Sequence, residues 1–211
     1  MEKEDLIKYW LRSGIVKNEK IIEAFRKIPR EKFVLKKYKK DAYADIALSI
    51  KAGQTISQPT TVVMMLNALE LKKGDKVLEI GSGSGYNACF MAEIVGKKGF
   101  IYSTEIIKEL VLFARKNIKK LKLKNIKILN IDGSKGYFKE KPFDRIIITA
   151  GCPKIPDILI EQLKERGIIV APVGDIGTQK LVKCKKIKGN LDCEDLGLFR
   201  FVPLKGKFGW K

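Results

Sequence analysis

Three glycines and three acids carry the first chemical signal in this sequence. Gly81, Gly83 and Gly85 stand in "VLEIGSGSGY", with Ser82 between the first two, directly after an apolar run that reads as a strand and before a segment that reads as a helix. Residues without a Cβ let the backbone turn tightly at such a place and come close to a ligand. The spacing is G-x-G-x-G, one residue shorter than the G-x-G-x-x-G that cradles a pyrophosphate at a helix N-terminus. Glu79 stands two residues ahead of the loop, and a carboxylate there suits a cationic ammonium while repelling a pyrophosphate. Glu105, followed by Ile106, ends a second apolar run and is placed to accept hydrogen bonds from both hydroxyls of a ribose. Asp132, followed by Gly133, ends a third and is placed to receive an adenine amino group. A lone Asp-Gly is usually only a turn. Three such features at successive strand ends make a ligand edge, because open α/β sheets bind ligands outside the carboxyl ends of their strands.

What the chain lacks narrows the chemistry as much. It has no histidine, so the commonest general base and the commonest zinc partner are both missing. Cys89, Cys152, Cys184 and Cys193 are scattered without a CxxC pair, which predicts free, mostly buried thiols. Lysine and arginine number 43 against 24 acids, a formal net charge of +19. That charge raises the question of a nucleic-acid partner. The lysines alternate with acids and apolar residues, as in "RKNIKKLKLKNIK", and no aromatic platform is interleaved with them, so a solvated surface is the expected reading.

The elements that must position these residues follow from periodicity. Leu6, Ile7, Trp10 and Leu11, then Ile21, Ile22, Phe25 and Ile28, recur at helical spacing until Pro29 stops the pattern. This predicts a helical cap over residues 1–45. Residues 46–70 read as an irregular loop leading into a helix from about Thr60 to Leu69, since Gly53, Ser57 and Pro59 break any regular period. From Lys76 short apolar runs alternate with amphipathic segments, the pattern of βαβ units and a parallel sheet. The predicted strands are Lys76–Ile80, Phe100–Thr104, Ile126–Asn130, Arg145–Thr149 and Ile168–Pro172, with the clearest helix at Ile107–Leu121. "QKLVKCKKIKG" and "DCEDLGLFRFVPL" then read as two antiparallel strands closing the sheet. The expectation is one domain over 1–211, with 76–211 as its core. No apolar run approaches the roughly 20 residues that cross a bilayer, and no leader pattern stands at the N-terminus, so a cytoplasmic protein is expected; a monomer is the default expectation.

The loop with Glu79 ahead of it resembles motif I of class I methyltransferases that use S-adenosylmethionine (SAM). Outside it, "GQTISQP" at Gly53–Pro59, "IPREKFV" at Ile28–Val34, "DGSKGY" at Asp132–Tyr137, "PFDRIIITAGCPKIP" at Pro142–Pro156, "PVG" at Pro172–Gly174 and "FVPL" at Phe201–Leu204 stand in the order found in protein-L-isoaspartate O-methyltransferases. The resemblance implies an α/β, Rossmann-like fold, a seven-stranded and mostly parallel sheet with helices on both faces. It implies SAM as cofactor and damaged proteins or peptides containing L-isoaspartate as partners. It further implies that Ser57 is the active-site hydroxyl, that Thr55, Ile56 and Ser57 wrap the cofactor, and that Ala52, Gly53 and backbone groups around Val202 and Leu204 hold the peptide. One departure stands out: Lys51 occupies a position where the family usually has glycine, and it could steer an anionic acceptor or hinder the peptide.

The residues support a carboxylate acceptor independently. Nitrogen and alcohol acceptors usually need a base to remove a proton, and the usual base is absent. A carboxylate, with a pKa of about 4, is already ionised and needs only positioning. An RNA methyltransferase is the competing enzyme, though no N-P-P-Y-type motif is present. A SAM-binding module without activity is the other alternative.

Overall fold

The helical cap begins with two short amphipathic helices whose apolar faces meet. In the structure, a computed structural model that describes residues 2–16 and 18–210, α1 spans Lys3–Arg12 and α2 Glu19–Lys27. Asn18 caps α2 by accepting from the Lys20 N–H. Trp10 and Phe25 are fully buried and pack edge to face with ring centroids 4.7 Å apart. Two 3-10 turns come next, at Arg30–Lys32 and Lys36–Asp41.

A small polar relay fastens the cap to the neighbouring segment. Trp10 Nε1 donates to Thr60 Oγ1 at 2.7 Å, and that hydroxyl donates to Asp45 Oδ2 at 2.6 Å. The segment expected to be an irregular loop is instead a flap, a minimal hairpin of β1 (Leu48–Ser49) and β2 (Thr55–Ile56). Its turn holds Ala52 in the left-handed region, φ 53°. Helix α3, Pro59–Leu69, starts one residue earlier than expected because proline is suited to the first helical position.

The large sheet has seven strands in the order β5-β4-β3-β6-β7-β8-β9. Its first five are parallel: β3 (Lys76–Ile80), β4 (Phe100–Glu105), β5 (Ile126–Asn130), β6 (Phe143–Ile148) and β7 (Leu163–Gly174). The last two, β8 (Gln179–Ile187) and β9 (Asn190–Phe199), run antiparallel. The fold is thus the expected Rossmann-like α/β arrangement. Alternate residues of β3 enter two cores: Val77 joins one built with α1 to α3, α4 (Tyr86–Val95) and α5 (Lys108–Lys119), while Leu78 and Ile80 join one built with α6 (Asp157–Gln162). Since β3 pairs with β4 on one side and β6 on the other, the crossover direction reverses at its carboxyl end, where a crevice must open.

Two expectations need correction. "FVPL" does not continue β9, which ends at Phe199; Pro203 instead forms an isolated parallel bridge with Gly151. Cys184 and Cys193 are not free thiols but a disulfide. They stand directly opposite each other across β8 and β9, a proximity set by hairpin register that spacing along the chain does not reveal. Cys89 and Cys152 are free and buried, as expected.

Candidate active site

At the carboxyl end of β3 lies an open cleft of about 920 Å³, counting its solvent-filled mouth. Its floor is the glycine loop, with Gly81, Ser82 and Gly83 all lining it. The flap covers one side with Thr55, Ile56 and Ser57, and the Phe201–Lys205 strap closes another through Val202, Pro203 and Leu204. Glu105, Ile106 and Gly133 line it from the ends of β4 and β5. Ser57 is half-buried just ahead of α3, and its hydroxyl has no partner among the described residues.

The acids divide into three different situations. Glu105 is 7% exposed and lines the cleft. Its Oε2 accepts the Gly83 N–H at 3.0 Å and its Oε1 the Ile107 N–H at 3.0 Å. Each oxygen keeps a further lone pair for a hydroxyl. Glu79 is fully buried beneath the loop and does not line the cleft. It accepts from the Asn87 amide at 2.9 Å and from the Ser103 hydroxyl, so it reaches the cleft only through Asn87, which does line it. Burial pushes the Glu79 carboxyl up to about 7, against the pull of those two hydrogen bonds. Asp132 is also outside the lining; its carboxylate accepts from Ser134 and from the Lys207 N–H.

Four further sequence expectations change place. Gly85 does not touch the cleft. At φ 81° it starts α4, and a Cβ there would press on Ala114 at 3.2 Å, so its smallness serves helix packing. Ala52 and Gly53 are exposed at the flap's tip, away from the lining. Lys51 points its ammonium at Glu109 Oε1 on α5, 3.0 Å away, which fastens the flap to that helix. Around Val202 and Leu204 most backbone groups are already bonded: Gly151 N–H donates to the Val202 carbonyl and the Leu204 N–H to the Gly151 carbonyl, both at 2.8 Å. Pro203 has no N–H, and its carbonyl is without a partner among the described residues.

Several lining residues were not foreseen. Thr149 and Ala150 come just after β6, and Asn87 and Leu110 project from α4 and α5. The strand-end rule, applied to the fourth parallel strand as it was to the first three, finds Thr149. Nothing in residue type distinguishes Asn87.

The residues present fit an adenosyl amino acid. A carboxylate with free lone pairs at the end of the second strand suits a ribose diol, the glycine floor admits close approach, and the cleft offers more apolar than polar wall in Ile56, Val62, Met65 and Leu110.

The chain is similar to known proteins over nearly its whole length. The sequence profile of the protein-L-isoaspartate(D-aspartate) O-methyltransferases matches residues 1–209. The chain is 47% identical over 210 residues to protein-L-isoaspartate O-methyltransferase 2 of Archaeoglobus fulgidus, covering 100% of this chain and 96% of that protein. It is 44% identical over 220 residues to the protein-L-isoaspartate O-methyltransferase of Pyrococcus horikoshii, covering 100% and 99%. A crystal structure from Plasmodium falciparum, described as a beta-aspartate methyltransferase of this kind in complex with S-adenosyl-L-homocysteine, superposes with a TM-score of 0.84 at 28% identity, covering 97% of this chain and 99% of that one.

Proposed function

The chain belongs to the protein-L-isoaspartate(D-aspartate) O-methyltransferase family and is a SAM-dependent carboxyl methyltransferase of damaged proteins; from that premise we propose how its residues divide the work. Bound SAM supplies the methyl group. Glu105 holds the ribose, with Gly81, Ser82 and Gly83 beneath the amino-acid arm and Ile106 and Gly133 beside the base. Thr55, Ile56 and Ser57 close over the cofactor. The Ser57 hydroxyl donates a hydrogen bond to one oxygen of the isoaspartyl carboxylate and so aims the other at the methyl group. No proton has to be removed, which accords with a chain devoid of histidine. Most of the acceleration comes from holding acceptor and donor in line, and the flap and strap on two sides of the cleft reduce the water around the opposite charges as they cancel.

The observation that carries this reading is that one cleft is lined by the flap serine, the ribose acid and the strap together. All three come from one chain, so one copy holds a complete site, and we read the enzyme as a single-domain monomer whose basic surface is mainly solvated. Purified protein mixed with methyl-labelled SAM and an isoaspartyl peptide, its aspartyl twin or bulk tRNA tests it. The expected result is a base-labile methyl ester on the isoaspartyl peptide alone. Label on tRNA alone overturns it.

A further inference from the structure

Helix α5 finishes on lysines. After Glu109, which pairs with Lys51, it carries no acid, and Lys116 and the capping Lys120 stand one turn apart, both exposed. The helical cap brings more lysines to the same place. Its 3-10 turn Lys36–Asp41 has four exposed lysines against one acid, and the turn Arg30–Lys32 packs beside it. Burial and then the like charges of Lys116, Lys39 and Lys32 hold the Lys120 ammonium below the usual lysine range. None of these four lysines has an acidic partner among the described residues. Glu31, the acid nearest in sequence to Lys32, accepts the Tyr43 hydroxyl at 2.6 Å.

The patch and the cleft share a helix. Ile107 and Leu110, around the start of α5, line the cleft, and from Leu110 to Lys120 the helix axis rises about 15 Å. An extended chain covers that distance in about five residues. We infer that the patch is a second binding surface for the acceptor, taking an acidic stretch of the damaged protein about five or more residues away from the isoaspartyl residue in the cleft. The inference rests on the reading of that cleft as the acceptor site. Ammonium groups gathered without counter-ions repel one another, and the carboxylates of an approaching chain relieve the repulsion. A polypeptide suits the patch better than a nucleic acid does. The one aromatic of the turn, Tyr38, packs on the core with the Lys37 ammonium 4.8 Å over its ring, which leaves no platform for a base.

The test uses isoaspartyl peptides that carry a short run of glutamates, either adjacent to the isoaspartyl residue or about six residues away on one side or the other. Lys32→Gln, Lys39→Gln and Lys116→Gln together remove the patch. Lys73→Gln, Lys97→Gln and Lys98→Gln together remove the same charge from exposed turns at the amino ends of β3 and β4, the edge opposite the cleft. At low ionic strength and saturating SAM, the distant run on one side is expected to lower the parent's KM about fivefold relative to an acid-free peptide, and the adjacent run by less than about twofold, with kcat unchanged. The patch variant should lose this preference and the control variant keep it. As a second check, Lys39→Glu with Lys116→Glu should favour a run of lysines at the same distance. An equal benefit at both distances, or equal losses in the two triple variants, means that the field of the whole molecule acts, and overturns the inference. Binding of single-stranded RNA that only the patch variant loses, with no effect of distance on KM, assigns the patch to nucleic acid and overturns it too. If the parent leaves the acid-free peptide unmethylated, the reading of the cleft falls and the inference with it; a missing distance effect with that peptide still methylated sinks the inference alone.

Discussion

Ser57, Glu105 and Glu79 are three polar groups whose surroundings assign them three different jobs. Ser57→Ala removes one oriented donor from an otherwise intact cleft. It is expected to lower kcat by about 10- to 100-fold, as loss of a hydrogen bond to a charged group implies, while calorimetry finds SAM binding unchanged. An equal loss of SAM affinity would place the hydroxyl on the cofactor. Glu105→Ala removes the proposed ribose partner and also releases the Gly83 and Ile107 amides. SAM affinity is expected to fall by about 1.5–3 kcal/mol; no change by calorimetry refutes the ribose assignment. Glu79 gives a pH signature. Its folded carboxyl titrates at about 7 instead of the ordinary 4.5, so the folded state binds the proton more tightly than the unfolded chain. Its contribution to stability is complete below about 4.5 and is lost as pH rises through about 7. At about 1.36 kcal/mol per unit the loss is on the order of 3 kcal/mol. Thermal melts between pH 5 and 8 should show that slope in the parent and a flatter profile in Glu79→Gln. Parallel profiles would mean that Glu79 stays ionised.

At the scale of elements, the parts legible in the sequence were those with a period. The five parallel strands fall where apolar runs predicted them, within two residues at most ends, because β3 and β6 at the centre of the sheet, largely buried, read as nearly continuous apolar stretches, and the edge strand β5 keeps Ile126, Ile128 and Leu129. The exception is β7, which begins at Leu163 instead of Ile168; its exposed Lys164, Glu165 and Arg166 fall in a register shift between the Phe143–Leu163 and Arg145–Ile168 pairs, with Arg166 at φ 62°, so no apolar run marks the early start. The flap was illegible for another reason. Two-residue strands have no period, and their register is fixed by a bond from Ile50 N–H to the Gln54 carbonyl. Within the site, Glu105 and the loop were legible from type and place, whereas the burial of Glu79 and the capture of Asp132 by the strap depend on contacts from distant parts of the chain. Lys51 is a case where the sequence left two roles open. Its exposed pair with Glu109, 43% and 54% accessible, is worth at most about 1 kcal/mol and weakens with salt. Lys51→Ala is expected to speed SAM release by less than about fivefold, a difference that disappears near 1 M salt when followed by stopped flow. A raised peptide KM with unaltered SAM release would instead assign the lysine to the acceptor.

For the molecule as a whole, the formal charge of +19 outlasts the ion pairs found among the described residues. A positive field of this kind concentrates anions, and Lys205 carries it to the wall of the cleft. Isoaspartyl formation from asparagine adds a negative charge, so damaged substrates are the more acidic forms. At low ionic strength kcat/KM for an acidic isoaspartyl peptide should exceed that for a basic twin of equal length, and the gap should close as salt rises toward about 0.5 M. A salt-independent gap would mean contact specificity and not steering. The strap adds a consequence at this same scale. An extended segment left open at a protein's surface is ordinarily a template on which further copies stack edge to edge. Here the open position is Pro203, which can take a hydrogen bond through its carbonyl but has no amide hydrogen to give in return. The missing donor interrupts any ladder that a neighbouring copy of the enzyme would extend across it, and concentrated solutions should stay clear of fibrous aggregates seeded at this edge.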